Sequence, residues 1–220
     1  MIDFHSHSLL SDGVLLPAEL VRRAFVNGYK VLGITDHADF SNINFVFDSM
    51  QKFLETIKEC GWDIKVIPGI EITHVPAIKI EKIVSLARDM KIPLVIVHGE
   101  TTVEPVEKGT NNAAIEACVD ILAHPGLITE EEVKLAVKNN VSLEITARKG
   151  HSITNGHVAK LAASFDAPMT LDTDSHAPSD LFTESFRKVV LKGAGLTDTD
   201  ILKVENNIKK VADRILAKMR

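Results

Sequence analysis

The chain opens with "MIDFHSHSLLSDG", in which two histidines stand one residue apart. In an extended segment, residues i and i+2 point to the same side, so His5 and His7 aim two imidazoles at one place, with Asp12 close behind across a turn. Further along, short apolar runs end repeatedly on groups able to bind a cation. Asp36 and His37 end "ITDH", Glu71 ends "GIE", His98 ends "VIVH", His124 ends "LAH", Glu144 lies in "LEIT", and Asp174 with His176 ends "LDTDSH". A lone histidine at a strand end is ordinarily a satisfied polar side chain, but this many gathered together would be poorly paired without a cation. Imidazole plus carboxylate without thiolate suits zinc, manganese or iron. There are too many donors for one ion, so two or three ions, shared through a bridging carboxylate, are implied. Asp36 can equally be a supporting group that orients a ligand.

The elements that position these groups alternate with a regular beat. Strand-like runs occupy residues 1–4, 30–35, 64–72, 93–98, 120–124, 141–146 and 168–173, each rich in Val, Ile, Leu or Thr and bounded by turn residues. Helical patterns fill the intervals at 17–28, 46–61, 79–91, 111–119, 129–140 and 155–165, and a last helix at 197–219 closes the chain. Pro17 and Gly28 punctuate the first helix, and Thr129 with Glu132 forms a capping-box signature. Near-continuous apolar strands alternating with helices imply a parallel sheet covered by helices. An open doubly wound sheet fits the alternation too, but no glycine-rich phosphate loop follows the first strand. The expected fold is therefore α/β, a distorted seven-stranded (β/α)7 TIM-like barrel with an extra C-terminal helix, the whole of 1–220 forming one domain. Barrels of this kind carry their chemistry at the C-terminal ends of the strands, where six of the nine histidines fall. Of the other three, His74 is read as a non-ligand near the mouth and His157 as structural.

Composition narrows the function. The chain has 220 residues, 45% hydrophobic and 25% charged, with a formal net charge of −5. That balance suits a globular core and argues against nucleic-acid binding through bulk charge. Cys60 and Cys118 make neither a metal-ligand spacing nor a disulfide framework, so a reduced cytoplasmic setting is expected. No signal-like or membrane-spanning apolar stretch is evident.

The segments "FHSHSLLSDG", "ITDH", "GIEIT", "VHGE", "AHPG" and "DTDSH" resemble, in order, the motifs of the PHP (polymerase and histidinol phosphatase) family, from residue 2 to about residue 178. The family resemblance implies a trinuclear metal centre in a distorted seven-stranded barrel. By position, His5, His7, Glu71 and Asp174 would hold the first metal. Glu71, His98 and His124 would hold the second, with Glu71 bridging, and Asp12, His37 and His176 the third. Some members have His where this chain has Asp12. The implied reaction is hydrolysis of a phosphate ester by a metal-bridged hydroxide, with Glu71 and Asp174 at the reacting centre.

A phosphate also needs donors from the protein. Arg148, Lys149 and His151 lie in one loop after the sixth run; Arg148 can clamp phosphate oxygens in a fork and His151 can give a proton to the leaving group. The long polar segment after the fourth run offers Glu100, Lys108 and Asn111 as lid or specificity residues, though Glu100 could equally cap a turn. The expected substrate is a small phosphomonoester resembling L-histidinol phosphate, with a phosphodiesterase or trimming nuclease as variants. An amidohydrolase barrel also begins with His-x-His, but its bridging lysine would stand where this chain has His98. A non-catalytic metal-binding scaffold is opposed by the complete ligand set. Oligomeric state is left open.

Overall fold

The computed structural model describes residues 1–219. Strands β1 (Ile2–Asp3), β2 (Val31–Ile34), β4 (Lys65–Ile72), β5 (Leu94–His98), β6 (Ile121–Ala123), β7 (Ser142–Thr146) and β8 (Met169–Asp172) follow one another side by side, all in parallel pairing. The short β3 (His37–Ala38) continues β2: Ile34 pairs with Pro68 and His37 with Glu71, the same register on β4. The apolar run 30–35 predicts this strand only as far as Thr35. The break at Thr35 and Asp36 lets the chain resume pairing with His37 beside Glu71.

Helices α1 (Pro17–Val26), α2 (Ile43–Ile57), α3 (Ile80–Asp89), α4 (Thr110–Glu116), α5 (Glu130–Asn139), α6 (Asn155–Ser164), α7 (Glu184–Gly193) and α8 (Asp198–Lys218) cover the strands. The strand interiors are dry: Leu32, Ile67, Leu94–Val97, Leu122, Leu143 and Leu171 are fully buried. Truncating one of these to alanine would cost about 2–5 kcal/mol. The capping box at α5 forms as the sequence predicts, with the Glu132 amide donating to the Thr129 hydroxyl and the Thr129 amide to the Glu132 carboxylate. Helix α2 begins three residues earlier than expected and ends at Ile57.

Helix α7 is an element the periodicity does not predict. Its inner face mixes a cation with an apolar residue: Phe186 and Val189 face outward at 48% and 60% exposure, while Arg187 is buried with Leu191. The Arg187 guanidinium donates from Nη1 to the Ile2 carbonyl at 3.0 Å, so a cation on the inner face ties the helix to β1.

The barrel closes between β8 and β1 mainly through side chains. Asp172 Oδ1 accepts from the Phe4 amide at 2.7 Å, and Asp3 accepts from the amide and hydroxyl of Thr173 at 3.1 and 2.6 Å. Beyond them the backbones meet where the His7 amide donates to the Ser175 carbonyl and the Val14 amide to the His176 carbonyl, each at 2.8 Å. Burial lifts the Asp3 carboxyl to about 6, and burial beside Asp3 and Glu144 holds Asp172 well above the usual carboxylate range.

At the opposite end, α8 lies across the starts of the strands. Asn207 donates to Ser142 Oγ and to the Met169 carbonyl, and Arg214 and Lys218 both reach Asp120 just before β6. No helix among the described residues is long and apolar enough to cross a membrane.

Candidate metal centre

The open ends of the strands bring the nine expected ligands together, with Glu71 at the middle. Its Oε2 lies 3.4 Å from His5 Nε2, 3.6 Å from His7 Nε2 and 2.8 Å from His37 Nδ1; its Oε1 lies 3.5 Å from His124 Nε2. Asp174 faces Glu71 across the same space, with Oδ1 3.3 Å from His7 Nε2 and Oδ2 3.7 Å from His124 Nε2. Around this pair the donors form four groups. His5, His7 and Glu71 make one; His98, His124 and His151 a second; His7, Asp12, His37 and His176 a third; and His5, His124 and Glu144 a fourth. In the third, Asp12 lies 3.1 Å from His176 Nε2 and 3.5 Å from His37 Nε2.

Several elements impose this arrangement. Asp36 does not hold an imidazole; its carboxylate accepts from the amide and hydroxyl of Ser8 and from the hydroxyl of Ser11, each at 2.7 Å, and so fixes the turn that carries Asp12. Glu144 accepts from His5 Nδ1 at 2.7 Å and from the His124 amide at 2.9 Å. That bond keeps a proton on Nδ1 and turns His5 Nε2 to the centre as the nitrogen a cation would take, a familiar support for ligating imidazoles. The backbone at His124 and Asp174 is held at φ of 26° and 49°, conformations non-glycine residues seldom adopt and that collect where function demands them.

Charges in the centre are tightly opposed. Burial alone would raise Asp174 and Glu71, yet His5 with His7, and His5 with His37, hold both carboxyls well below their ordinary range. Burial would lower His37, but Glu71 and Asp12 lift it to about 10. Burial, with His37 and His5 nearby, brings His7 down to about 4.

His5 Nε2, both ring nitrogens of His7, both oxygens of Glu71 and His124 Nδ1 are buried without a hydrogen-bond partner. Each such group costs about 1–3 kcal/mol. Divalent cations fit the centre because they supply the missing partner to imidazole and carboxylate lone pairs at once. The donors are nitrogen and oxygen only, as zinc, manganese and iron accept.

The substrate residues expected from the sequence are dispersed. Arg148 lines the same small cavity as the candidate ligands, its Nη1 3.3 Å from Asp180 Oδ2. Asp180 also accepts from the amides of His176 and Ala177, so it anchors the His176 loop and the guanidinium together. Lys149 is exposed and lines a neighbouring cavity of about 450 Å³ walled by Leu181, Phe182 and Phe186. Glu100 is turned into its own loop, accepting from the amides of Gly109 and Asn111. Asn111 in turn holds the Glu100 amide and the Pro125 carbonyl. Lys108 is exposed and lines neither cavity.

His151, expected either as a proton donor or as an exposed side chain, is buried. It lies among the ligands, its ring stacked 4.2 Å from that of His124, and Nδ1 is engaged by the Thr101 hydroxyl at 2.7 Å. Burial, reinforced by His124, lowers it to about 4, so at neutral pH it has a lone pair to offer and no extra proton. Glu104 carries no signal in the sequence, because it lies in an irregular segment and ends no apolar run; its carboxylate lies 3.1 Å from His98 Nε2 and 3.4 Å from His151 Nε2. Glu144 lies within the run Ser142–Thr146, and its shared register with Ser142 and Thr146 is the signal for its inward direction.

A parallel barrel with a buried imidazole–carboxylate centre at the mouths of its strands is an arrangement suited to metal-dependent hydrolysis. The chain belongs to the PHP domain family, whose model matches residues 3–144. Among its relatives, an uncharacterized protein of Methanocaldococcus jannaschii is 48% identical over 200 residues, spanning 90% of this chain and 92% of the relative. A probable phosphatase of Thermoanaerobacter sp. is 24% identical and covers 98% of this chain and 97% of its own length. The 5'-3' exoribonuclease Rnm of Escherichia coli is 29% identical over 72% of this chain, which spans 46% of that relative. In solved structures the fold recurs in a chain of archaeal ribonuclease P with mature tRNA (TM-score 0.70, 19% identity, 98% of this chain and 91% of that one). It recurs also in the histidinol phosphate phosphatase of Lactococcus lactis complexed with zinc, L-histidinol and phosphate (TM-score 0.59, 18% identity, 89% and 94%).

Proposed function

We propose that the chain is one barrel domain that hydrolyses small phosphomonoesters, of the size and kind of L-histidinol phosphate, using two or three divalent ions of zinc, manganese or iron. The observation that carries this reading is the set of partnerless buried atoms, both oxygens of Glu71 and both ring nitrogens of His7 above all. By position, His5, His7, Glu71 and Asp174 hold the first ion, Glu71, His98 and His124 the second, and Asp12, His37 and His176 the third. Bound there, such ions supply Lewis acidity toward phosphoryl oxygens and lower the pKa of a water toward neutrality.

The chain's own groups do the remaining work. Arg148 offers a guanidinium to the phosphate oxygens, held in place by Asp180, which also fixes the backbone of the His176 loop. Glu144 keeps His5 in the tautomer that leaves Nε2 free. The cavity of about 450 Å³ that begins at Arg148 suits a leaving group with an apolar portion. Free cysteines at positions 60 and 118 fit a cytoplasmic setting.

A nuclease with the same chemistry is the second reading, favoured by the likeness to Rnm, which is a 5'-3' exoribonuclease. The net charge of −5 favours the small substrate. The deciding experiment assays phosphomonoesters, nucleotides, cyclic diesters and short RNA side by side with added manganese or zinc, with Asp174→Asn as the control. Monoester turnover that the control abolishes is expected. Turnover confined to RNA would replace the first reading by the second, and turnover that survives Asp174→Asn would overturn both.

A further inference from the structure

Glu104 is unlike the other carboxylates of the centre. The Glu71 and Asp174 side chains are 0% and 3% exposed, whereas that of Glu104 is 39% exposed and comes from a segment whose neighbours, Thr102, Val103 and Pro105, face outward. Asp12 is exposed too, but its turn is tied down by Asp36. The segment bearing Glu104 is held at its two ends. Glu100 grips the Gly109 and Asn111 amides and so joins the two ends, and Thr101 beside it engages His151. Between these ties, Glu104 turns back over the mouth. Its Oε2 reaches His98 Nε2 at 3.1 Å and His74 Nε2 at 3.6 Å, and its Oε1 reaches His151 Nε2 at 3.4 Å.

The space beneath it is small. The cavity lined by Glu71, His98, Glu104, His124, Arg148 and Asp174, with others of the centre, holds about 50 Å³. At about 10–15 Å³ of such space per water, a few waters fit there, and an intact phosphate ester needs more room. A wall must move, and among the lining groups Glu104 combines an outward-facing segment with the charge sign of a phosphate.

We propose that Glu104, with His151, completes the donor set at the His98–His124 position, and that its carboxylate is the exchangeable donor whose place a phosphoryl oxygen of the substrate takes. This rests on the metal-centre reading above. It assigns His151 a fixed place, through the bond between its Nδ1 and Thr101, and Glu104 a temporary one. Glu104 would keep the second position satisfied between turnovers, and a tetrahedral oxyanion would replace it.

The test compares wild type with Glu104→Gln, both loaded with manganese or cobalt. Chelator competition reads metal affinity, titration calorimetry with inorganic phosphate reads anion affinity, and the visible spectrum of the cobalt form reads the donor set. Glu104→Gln should melt like wild type when metal-free, since its loop is exposed. It should hold one metal equivalent about 10-fold or more less tightly, as loss of a supporting carboxylate does elsewhere. It should also bind phosphate about 10-fold more tightly, because no like charge competes, and its cobalt spectrum should differ. Unchanged metal affinity and spectrum, or weakened phosphate binding, would overturn the inference while leaving the metal centre standing. A wild-type protein that binds no transition metal would overturn the centre itself and this inference with it.

Discussion

Replacing Glu144 by glutamine changes a single atom type in a fully buried side chain and sets up a conflict that no rotation resolves. In the native protein both partners of the carboxylate are donors: His5 through Nδ1–H at 2.7 Å and His124 through its backbone amide at 2.9 Å. A glutamine amide has one acceptor oxygen and one donor nitrogen. If its oxygen serves the His124 amide, the NH2 faces His5 Nδ1 and drives the imidazole proton onto Nε2, the nitrogen that points toward Glu71 and Asp174. If it serves His5, two donors meet at His124. A hydrogen bond to a charged group is worth about 1.5–3 kcal/mol, and a tenfold change in affinity is about 1.4 kcal/mol. Metal affinity at the His5 position should therefore fall about 10- to 100-fold, the range typical of lost supporting groups. Competition with a chromophoric chelator measures this, alongside thermal melting of the metal-free protein. Melting should drop by roughly 2–12 °C, from about 1–3 kcal/mol spread over a chain of this size. Wild-type metal affinity and stoichiometry in Glu144→Gln would refute the claim that this bond sets the His5 tautomer.

Arg148→Ala should raise KM for a phosphomonoester about 10- to 100-fold, through loss of a charge-assisted contact, while metal content stays the same; unchanged kinetics would remove Arg148 from phosphate binding. Asp3→Ala should destabilise the protein by about 3 kcal/mol and lower the melting temperature by roughly 6–12 °C, because the amide and hydroxyl of Thr173 and the His5 amide lose their acceptor at the barrel seam. Gly126→Ala should abolish activity and impair folding, since φ there is +63° and a Cβ would sit 1.8 Å from the Glu100 carbonyl oxygen; an active, stable variant would contradict this geometry. For pH, His37 is raised from 6.5 to about 10 in the metal-free fold, so its stabilising contribution is full below about 6.5 and fades as pH rises through 10. A cation must displace that proton, so metal binding should strengthen with pH across the same window and release protons, measurable by calorimetry in buffers of different ionisation enthalpy.

The sequence made most of the barrel legible because a strand buried on both faces reads as a short apolar run, and the polar residue that ends each run marks the mouth. His98 and His124 were visible in this way. What stayed hidden depends on contacts between distant parts of the chain. Asp3 and Asp172 close the barrel with carboxylates in place of a backbone ladder, and nothing near either residue announces the pairing. Helix α7 carries its cation inward and its phenylalanine outward, which defeats a search for an apolar stripe. Asp36, which looks like a ligand beside His37, spends its oxygens on Ser8 and Ser11, a role set by a turn 25 or more residues away. Glu104 reaches the centre from an irregular loop, and His151 lies at its end of the mouth because Thr101 holds it there.

The central claim is that the partnerless atoms around Glu71 exist to hold cations. Elemental analysis of the purified wild-type chain beside Glu71→Gln, with circular dichroism on both, tests it most directly. The account predicts two to three equivalents of transition metal in wild type and loss of at least one in a folded Glu71→Gln protein. A fully folded wild type that carries no metal, and takes up none when zinc or manganese is supplied, would contradict it.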